Sequence, residues 1–360
     1  MSQHNALLIT ELQKPLKLGK RPTSAPEAGE VLIKVHAAGL NPHDSKGKEF
    51  GLFTSDYLPA AVLASDLAGT VVSVGPSVTK YRPGDKIFGQ SNFIGGKISD
   101  QAGLQEYAIL NTIASAPIPQ GFSFDAAGTL PVNTVASFVA LFLPENLGLT
   151  PPFPGQQKEG QYKNEAILII GGGSWTGKYG IQFARMAGFG KIITVAGIKG
   201  DSEKKLRELG ATHVIDRHKS EGEIEKEVRE LVGDELVYVY DPINEPPDTG
   251  TFEKPAWDLG MRCLSRTKFG RLTTLIPGPV DEGIGKEKKG GYQKTFTSGM
   301  SHKYPDLMIP FWEHLPGWLE NGVVQPGDFE VVEGLDAEKV DGYLDGYRDG
   351  KAVPKVSVHP

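Results

Sequence analysis

Residues 166–177, Ala166-Ile167-Leu168-Ile169-Ile170-Gly171-Gly172-Gly173-Ser174-Trp175-Thr176-Gly177, decide how this chain is read. Five consecutive apolar residues without polar alternation predict a strand buried on both faces, as in a parallel sheet. Four glycines then crowd a turn, and residues 180–187 carry helical periodicity. A strand feeding a helix through such a turn leaves backbone N–H groups free at the positive end of the helix dipole, where a pyrophosphate binds. Glycine is required because a Cβ would hold phosphate oxygens away from those amides. The spacing is not G-x-G-x-x-G, since three residues separate Gly173 from Gly177. Any buried strand packed on a helix can use such a turn, so the sequence around it carries the argument.

Downstream the rhythm continues. Residues 192–196, 213–216, 236–240 and 271–276 predict strands, with a helix over 202–209. Strands separated by helices of that length imply a parallel, doubly wound sheet with right-handed crossovers. The charged run 221–230 reads as a solvated helix face. Upstream, residues 31–37 and 69–75 are rich in β-branched side chains, and Pro83-Gly84-Asp85 is a turn before 86–89. This predicts a small β-barrel-like lobe. Residues 125–143 predict one or two helices despite Pro131, and 144–164, with its Pro151-Pro152-Phe153-Pro154-Gly155, predicts an exposed loop. At 360 residues the chain suits two domains.

Composition excludes several classes. A formal charge of −6 gives no general attraction to phosphate backbones, so nucleic acid is not an expected partner. The opening MSQHNALLIT has no cationic segment followed by a long apolar run, and no stretch approaches bilayer length. A cytoplasmic protein without a membrane partner is expected. One cysteine, Cys263, rules out an internal disulfide and a four-thiolate zinc site, and it reads as a small buried hydrophobe.

NAD-preferring sites place Asp or Glu at the end of the second strand, on the ribose 2′-hydroxyl. Here Ala196-Gly197-Ile198-Lys199 stands there instead. A carboxylate would repel a 2′-phosphate, so its absence, with Lys199 and Ser202 nearby, favours NADP(H). Taken singly, Lys199 and Lys204 are equally readable as solvated charges at a helix start.

Taken together, several strings resemble the medium-chain dehydrogenase/reductase family over nearly the whole chain. They are Gly39-Leu40-Asn41-Pro42-His43-Asp44, Ser65-Asp66-Leu67-Ala68-Gly69, Gly84-Asp85-Lys86-Ile87-Phe88-Gly89, Gln105-Glu106-Tyr107, the cofactor turn, Leu209-Gly210-Ala211-Thr212-His213-Val214-Ile215-Asp216 and Gly350-Lys351-Ala352-Val353-Pro354-Lys355-Val356. The resemblance implies an α/β chain: a GroES-like β-barrel catalytic domain over 1–133, a Rossmann NADP-binding domain over 134–309, and a return to the catalytic domain over 310–360. Zinc alcohol dehydrogenases carry Cys where this chain has Asn41 and His where it has Ser65, and neither replacement is a good zinc ligand. The absent ligands and the Asn-Pro-x-Asp string resemble the quinone oxidoreductase and enoyl reductase branch. The loop at 147–154 and Lys46 are similar, more narrowly, to fungal trans-acting enoyl reductases of polyketide pathways. Ser174 departs from the middle glycine of quinone reductases.

The resemblance implies zinc-free, NADPH-dependent hydride transfer to an activated carbon–carbon double bond of an enoyl, alkenal or enone substrate, or to a quinone. A third reading is an inactive cofactor-binding regulatory or structural protein. Without a metal, the developing enolate needs donors from the protein or cofactor. Lys46, Asn41 and Thr134 are the catalytic candidates on the family pattern. Lys46 is also readable as an exposed lysine, Asn41 as a turn residue before Pro42, and a two-residue slip would select Ser137 in place of Asn133 and Thr134. His43 reads as incidental, and Asp44 and Asp66 as loop-orienting acceptors. Gly171, Gly172, Gly173, Ser174, Trp175, Thr176 and Gly177 are expected to hold the pyrophosphate, and Gly197, Lys199 and Ser202 the adenosine ribose. Tyr179 either approaches the cofactor or packs on the sheet, and Leu275, Ile276 and Pro277 reach the nicotinamide. Loops 48–59, 93–102 and 278–309 would choose the substrate, and the Lys- and Gly-rich 283–291 reads as a lid or a disordered insert. Expected partners are a small molecule, including a carrier-bound polyketide thioester, and at most a second copy of the chain, as monomer or homodimer.

Overall fold

The computed structural model describes residues 2–243 and 257–360. The chain forms two compact units, Met1–Val132 with Met300–Pro360, and Asn133–Gly299.

The first stretch contains β1 (Gln3–Leu8), β2 (Lys17–Pro22), β3 (Glu30–Leu40), α1 (Pro42–Phe50), β4 (Asp66–Val74), β5 (Lys86–Gln90), α2 (Ile98–Gln101), β6 (Tyr107–Asn111), β7 (Ser115–Pro117) and α3 (Phe124–Gly128). α4 (Pro131–Phe142) carries the chain into the second unit, which holds β8 (Ala166–Ile170), α5 (Trp175–Ala187), β9 (Lys191–Ala196), α6 (Ser202–Leu209), β10 (His213–Asp216), α7 (Glu221–Val232) and β11 (Tyr238–Asp241). That unit continues with α8 (Trp257–Cys263), β12 (Gly270–Thr274), α9 (Glu282–Lys286) and β13 (Tyr292–Phe296). The return comprises α10 (Pro305–Glu320), β14 (Glu330–Glu333), α11 (Ala337–Arg348) and β15 (Val356–His359).

In the first unit the sheet order is β14-β15-β3-β4-β5-β7, with β6 also paired to β3. β3 divides one edge between two partners: Glu30 to Lys34 pair with β6, and Ala38 to Leu40 pair with β15. Its alternating burial packs Val31, Ile33 and Val35 into the core with Leu67, Val71 and Ile87. β15 thus ties the C-terminal residues to a strand more than 300 positions earlier, and this brings Lys355 to the start of α1.

In the second unit six parallel strands run in the order β10-β9-β8-β11-β12-β13. This is the doubly wound Rossmann order, in which ligands sit beyond the carboxyl ends where the strand order reverses. Here the reversal falls between β8 and β11. β8 is buried along its whole length, as five apolar residues flanked by helices must be. Gly180 permits the close packing of α5, because a Cβ there would stand 3.0 Å from the Tyr240 ring.

Two loop expectations are refined. Residues 144–164 form a loop without helix or strand, exposed over most of its length, but pinned by buried side chains: Leu147, Leu149, Phe153 and Tyr162 are buried, and Tyr162 stacks on Phe189 with centroids 5.0 Å apart. The apolar residues between the prolines anchor the segment, and Asn146 Nδ2 donates to Val139 O and Thr297 Oγ1, each at 3.0 Å. Residues 283–291 are neither lid nor disorder. Asp281 caps α9 by accepting from Ile284 N–H, and Lys288 is buried with Nζ donating to Leu264 O at 2.6 Å and Arg262 O at 3.1 Å. It satisfies carbonyls at the end of α8. Burial first, then the Arg229 and Arg266 charges, pulls its ammonium down to about 8.

Candidate functional site

The glycine turn begins where β8 ends. Gly171 adopts φ +88°, a left-handed conformation natural to glycine, and a Cβ there would overlap Ile243. A Cβ on Gly172 would stand 2.0 Å from Thr194 Oγ1, and one on Gly177 would stand 2.2 Å from Gly171 O. Gly173 is different: it is exposed and has nothing nearer than 3.9 Å at its Cβ position. Three glycines therefore serve the tight approach of turn, strand and helix, and Gly173 leaves an open face. Ser174 is the N-cap of α5, accepting from Gly177 N–H at 3.0 Å and donating to Gly171 O at 2.8 Å. Trp175 is half-buried beneath the Lys178 ammonium, 4.2 Å from its ring centroid. A dinucleotide pyrophosphate fits this cradle of small residues at a helix N-terminus.

Hydrogen bonds tie α4 to the same turn. Thr176 Oγ1 donates to Asn133 Oδ1 at 2.9 Å, and Ser137 Oγ donates to Thr176 O at 2.7 Å. Asn133 and Ser137, one helical turn apart, thus share the face that meets the turn, while Thr134 is fully buried. Tyr179 is among the buried residues of α5. Past β12, Thr274 Oγ1 donates to Ile276 O at 2.6 Å and shapes the run of half-buried Leu275 and Ile276 and exposed Pro277.

At the end of β9, Lys199 and Ser202 are exposed and Gly197 is half-buried. The structure adds a residue the sequence reading passed over. Arg217 follows β10, and a Cβ on Gly197 would lie 3.7 Å from Arg217 Nε. Among the described residues neither the Arg217 nor the Lys199 side chain has an ion-pair partner. The signal was available in the pairing of Asp216 with Ala196, which puts the ends of adjacent parallel strands side by side. It needed the strand order to be seen.

In the first unit a small recess, open at its mouth, is lined by His43, Ser65, Phe53, Phe93, Leu63 and Ile98 among others. Asn41 caps α1, donating its backbone N–H to Asp44 Oδ2 at 2.8 Å. Its Nδ2 donates to Asp66 Oδ2 at 2.8 Å, and its Oδ1 accepts from Lys355 Nζ at 2.8 Å. Lys355 also donates to Asp66 Oδ2 at 2.8 Å and to Leu40 O at 3.1 Å. Lys355 and Asp66 are 2% and 0% exposed, so the ion pair carries the full cost of desolvation, which its attraction and the hydrogen bonds on both partners offset. This arrangement does not fit zinc: the positions that would bind it are an amide and a hydroxyl, and a fixed ammonium already sits against that amide oxygen. Among the described residues no three His, Cys, Asp or Glu groups gather to hold a metal.

Asp44, 2% exposed, accepts backbone N–H groups from Asn41 and from Ala64 at 2.9 Å; burial pushes its carboxyl above the usual range. It orients the loop. His43 lines the cavity, with Nε2 at 3.2 Å from Ser65 Oγ. Lys46 is exposed on α1, away from the cavity lining, and Lys48 turns inward to Asp341 and Asp345.

The alcohol dehydrogenase GroES-like domain family matches residues 27–120, and the zinc-binding dehydrogenase family matches residues 176–251. Dehydrogenase azaJ of Aspergillus niger is 32% identical over 343 residues, covering 92% of each chain. The enoyl reductase component lovC of the lovastatin nonaketide synthase of Aspergillus terreus is 31% identical over 215 residues, covering 59% of this chain and 56% of its own. Among solved structures, a quinone oxidoreductase of Pseudomonas syringae superposes with a TM-score of 0.75 at 19% identity, covering 99% of this chain and 100% of its own. That likeness shows the fold.

Proposed function

This chain belongs to the medium-chain dehydrogenase/reductase family as an oxidoreductase that binds a nicotinamide cofactor, and from that premise we propose that it reduces an activated carbon–carbon double bond with NADPH. The observation that carries the reading is the Lys355–Asp66–Asn41 cluster, which removes the means of polarising an alcohol by a metal and leaves hydride transfer to an already activated acceptor. The lovC relative, an enoyl reductase component, supports an enoyl, enal or enone acceptor, including one carried as a polyketide thioester.

When bound, the dihydronicotinamide supplies a hydride. The chain's own residues then do the positioning, which is much of catalysis when no metal takes part. Residues 171–177 hold the pyrophosphate on backbone amides, and Leu275, Ile276 and Pro277 offer the surface for the nicotinamide. Lys199, Ser202 and Arg217 face a ribose 2′-phosphate with two unpaired cations, and this favours NADPH over NADH. Asp201 and Glu203 flank Ser202 with carboxylates, so an NADH arm belongs in the assay. In the first unit Asn41 acts through the cluster it holds in place, and the exposed Lys46 is the family-pattern candidate for a substrate contact; in the second unit the buried Thr134 supports the helix face that carries Asn133 and Ser137.

A quinone acceptor is the second reading. Its support is the Phe53 and Phe93 rings, 4.9 Å apart at the cavity wall, which suit a planar ring. Loss of absorbance at 340 nm with NADPH or NADH, over enones, enals, enoyl thioesters and quinones, tests both. The expected result is turnover of unsaturated carbonyls with NADPH preferred. Turnover of quinones alone would replace the first reading with the second.

A further inference from the structure

We propose that His43 and Ser65 act as a pair that holds the carbonyl oxygen of the unsaturated substrate and returns the proton that follows the hydride. The inference rests on reading the protein as a reductase of unsaturated carbonyls.

The cavity around the pair is apolar, walled by Phe53, Val62, Leu63, Phe93 and Ile98. Its other polar groups are spent. Thr54 Oγ1 donates to Gly47 O at 2.8 Å, and both Asp44 oxygens accept backbone N–H groups. His43 Nε2 meets Ser65 Oγ at 3.2 Å with Asp44 Oδ1 3.6 Å away, and among the described residues His43 Nδ1 has no hydrogen-bonding partner. A mostly apolar recess with a His–Ser pair in its wall matches the polar end of an otherwise apolar ligand, the rest of which extends through the open mouth. A carbonyl oxygen is such an end, since it accepts from a hydroxyl or an imidazole N–H.

A hydrolase relay does not fit. In that arrangement serine and aspartate engage opposite ring nitrogens, whereas here Asp44 Oδ1 lies 3.6 Å from the same Nε2 that meets Ser65. The Phe93 ring edge, 5.5 Å from the imidazole centroid, sets the ring's orientation. The charged group facing His43 from its own helix is Asp44; from β4 and the residue before it come Ser65 and, beyond it, Asp66.

Histidine is suited to this step because its ring nitrogens can both donate and accept a proton. The substrate's β-carbon accepts the hydride, the double-bond electron pair moves toward the carbonyl as an enolate, and the α-carbon takes a proton from the His43 imidazolium, directly or through Ser65 Oγ. The imidazole is left neutral. Water restores its proton, reaching a side chain that is 22% exposed.

The test uses the full chain with 3-octen-2-one as probe. In His43→Gln and Ser65→Ala, kcat should fall at least tenfold and the high-pH decline of the wild-type kcat profile should flatten in His43→Gln, while NADPH affinity by tryptophan fluorescence stays within twofold. Independently of turnover, the ring signal of ¹³C-labelled His43, assigned by its loss in His43→Gln, should shift when the enone is added without cofactor. Ser65→Ala deletes only a hydroxyl, so it reports even if the histidine variant folds poorly. Wild-type turnover with both variants within twofold in kcat, or no shift of the His43 signal, overturns the inference alone. A wild type that binds NADPH but reduces no unsaturated carbonyl overturns the functional reading, and this inference with it.

Discussion

Residues 171–177 form a candidate site made of backbone: glycines that admit close approach, amides at a helix N-terminus and a single serine cap. Residues 41–66 of the other unit belong to a second candidate site made of buried side chains, where Lys355, Asp66 and Asn41 hold one another next to Ser65. A backbone site tolerates almost any side chain that leaves the turn its shape. A site of buried charges depends on every partner, because one missing group strands the rest.

That contrast can be broken most forcefully at Lys355. Lys355→Met leaves the Asp66 carboxylate buried without its cation and should cost about 3–5 kcal/mol, read by urea unfolding. A cost under about 1 kcal/mol would show that the pocket does not rely on its charges. Next is Gly177→Ala, whose Cβ would collide with Gly171 O. NADPH affinity should fall roughly a hundredfold, about 2.7 kcal/mol, by titration of Trp fluorescence, and unchanged affinity would remove the turn from the binding site.

His302 comes third. Both ring nitrogens are buried without a partner, and burial lowers its pKa to about 4. Its folded pKa therefore lies below the unfolded value, the unfolded state binds more protons between them, and stability should decline as pH falls from 6.5 toward 4. The loss should be on the order of 2 kcal/mol, with His302→Phe removing the slope in thermal melts at stepped pH. Fourth, Arg217→Ala should raise the KM for NADPH about tenfold, near 1.4 kcal/mol, without changing that for NADH. Equal changes for both would deny Arg217 the 2′-phosphate. The smallest effect is expected for Ser174→Ala, which removes an N-cap worth about 1 kcal/mol by chemical denaturation.

The contrast also explains what was legible in advance. β8, α5, α6 and β10 could be read locally because a buried strand and an amphipathic helix each write their period into a few neighbouring residues. Loop 144–164 was legible as a loop but its anchors were not, because prolines and glycines signal a break in regular structure, not whether Phe153 and Tyr162 find a surface to bury against. Residues 283–291 were misjudged for a similar reason: a lysine among glycines suggests solvent, and only the carbonyls at the end of α8 make a buried Lys288 favourable. His43 was read as incidental on the family pattern, and its neighbours in sequence say nothing about Ser65, 22 positions on, whose hydroxyl lies 3.2 Å from its Nε2.

The sequence by itself determined the parallel doubly wound unit and the glycine turn between β8 and α5, since each is a matter of residue type at local spacing, and its resemblance to the family marked Asn41 and Ser65 as the positions where zinc ligands are replaced. Only the tertiary structure decided that Lys355 neutralises Asp66, that Arg217 stands beside Gly197, and that His43 and Ser65 share one cavity. Those are contacts between residues far apart in the chain, made by strand pairing and strand order, and no local pattern encodes which distant side chain will arrive.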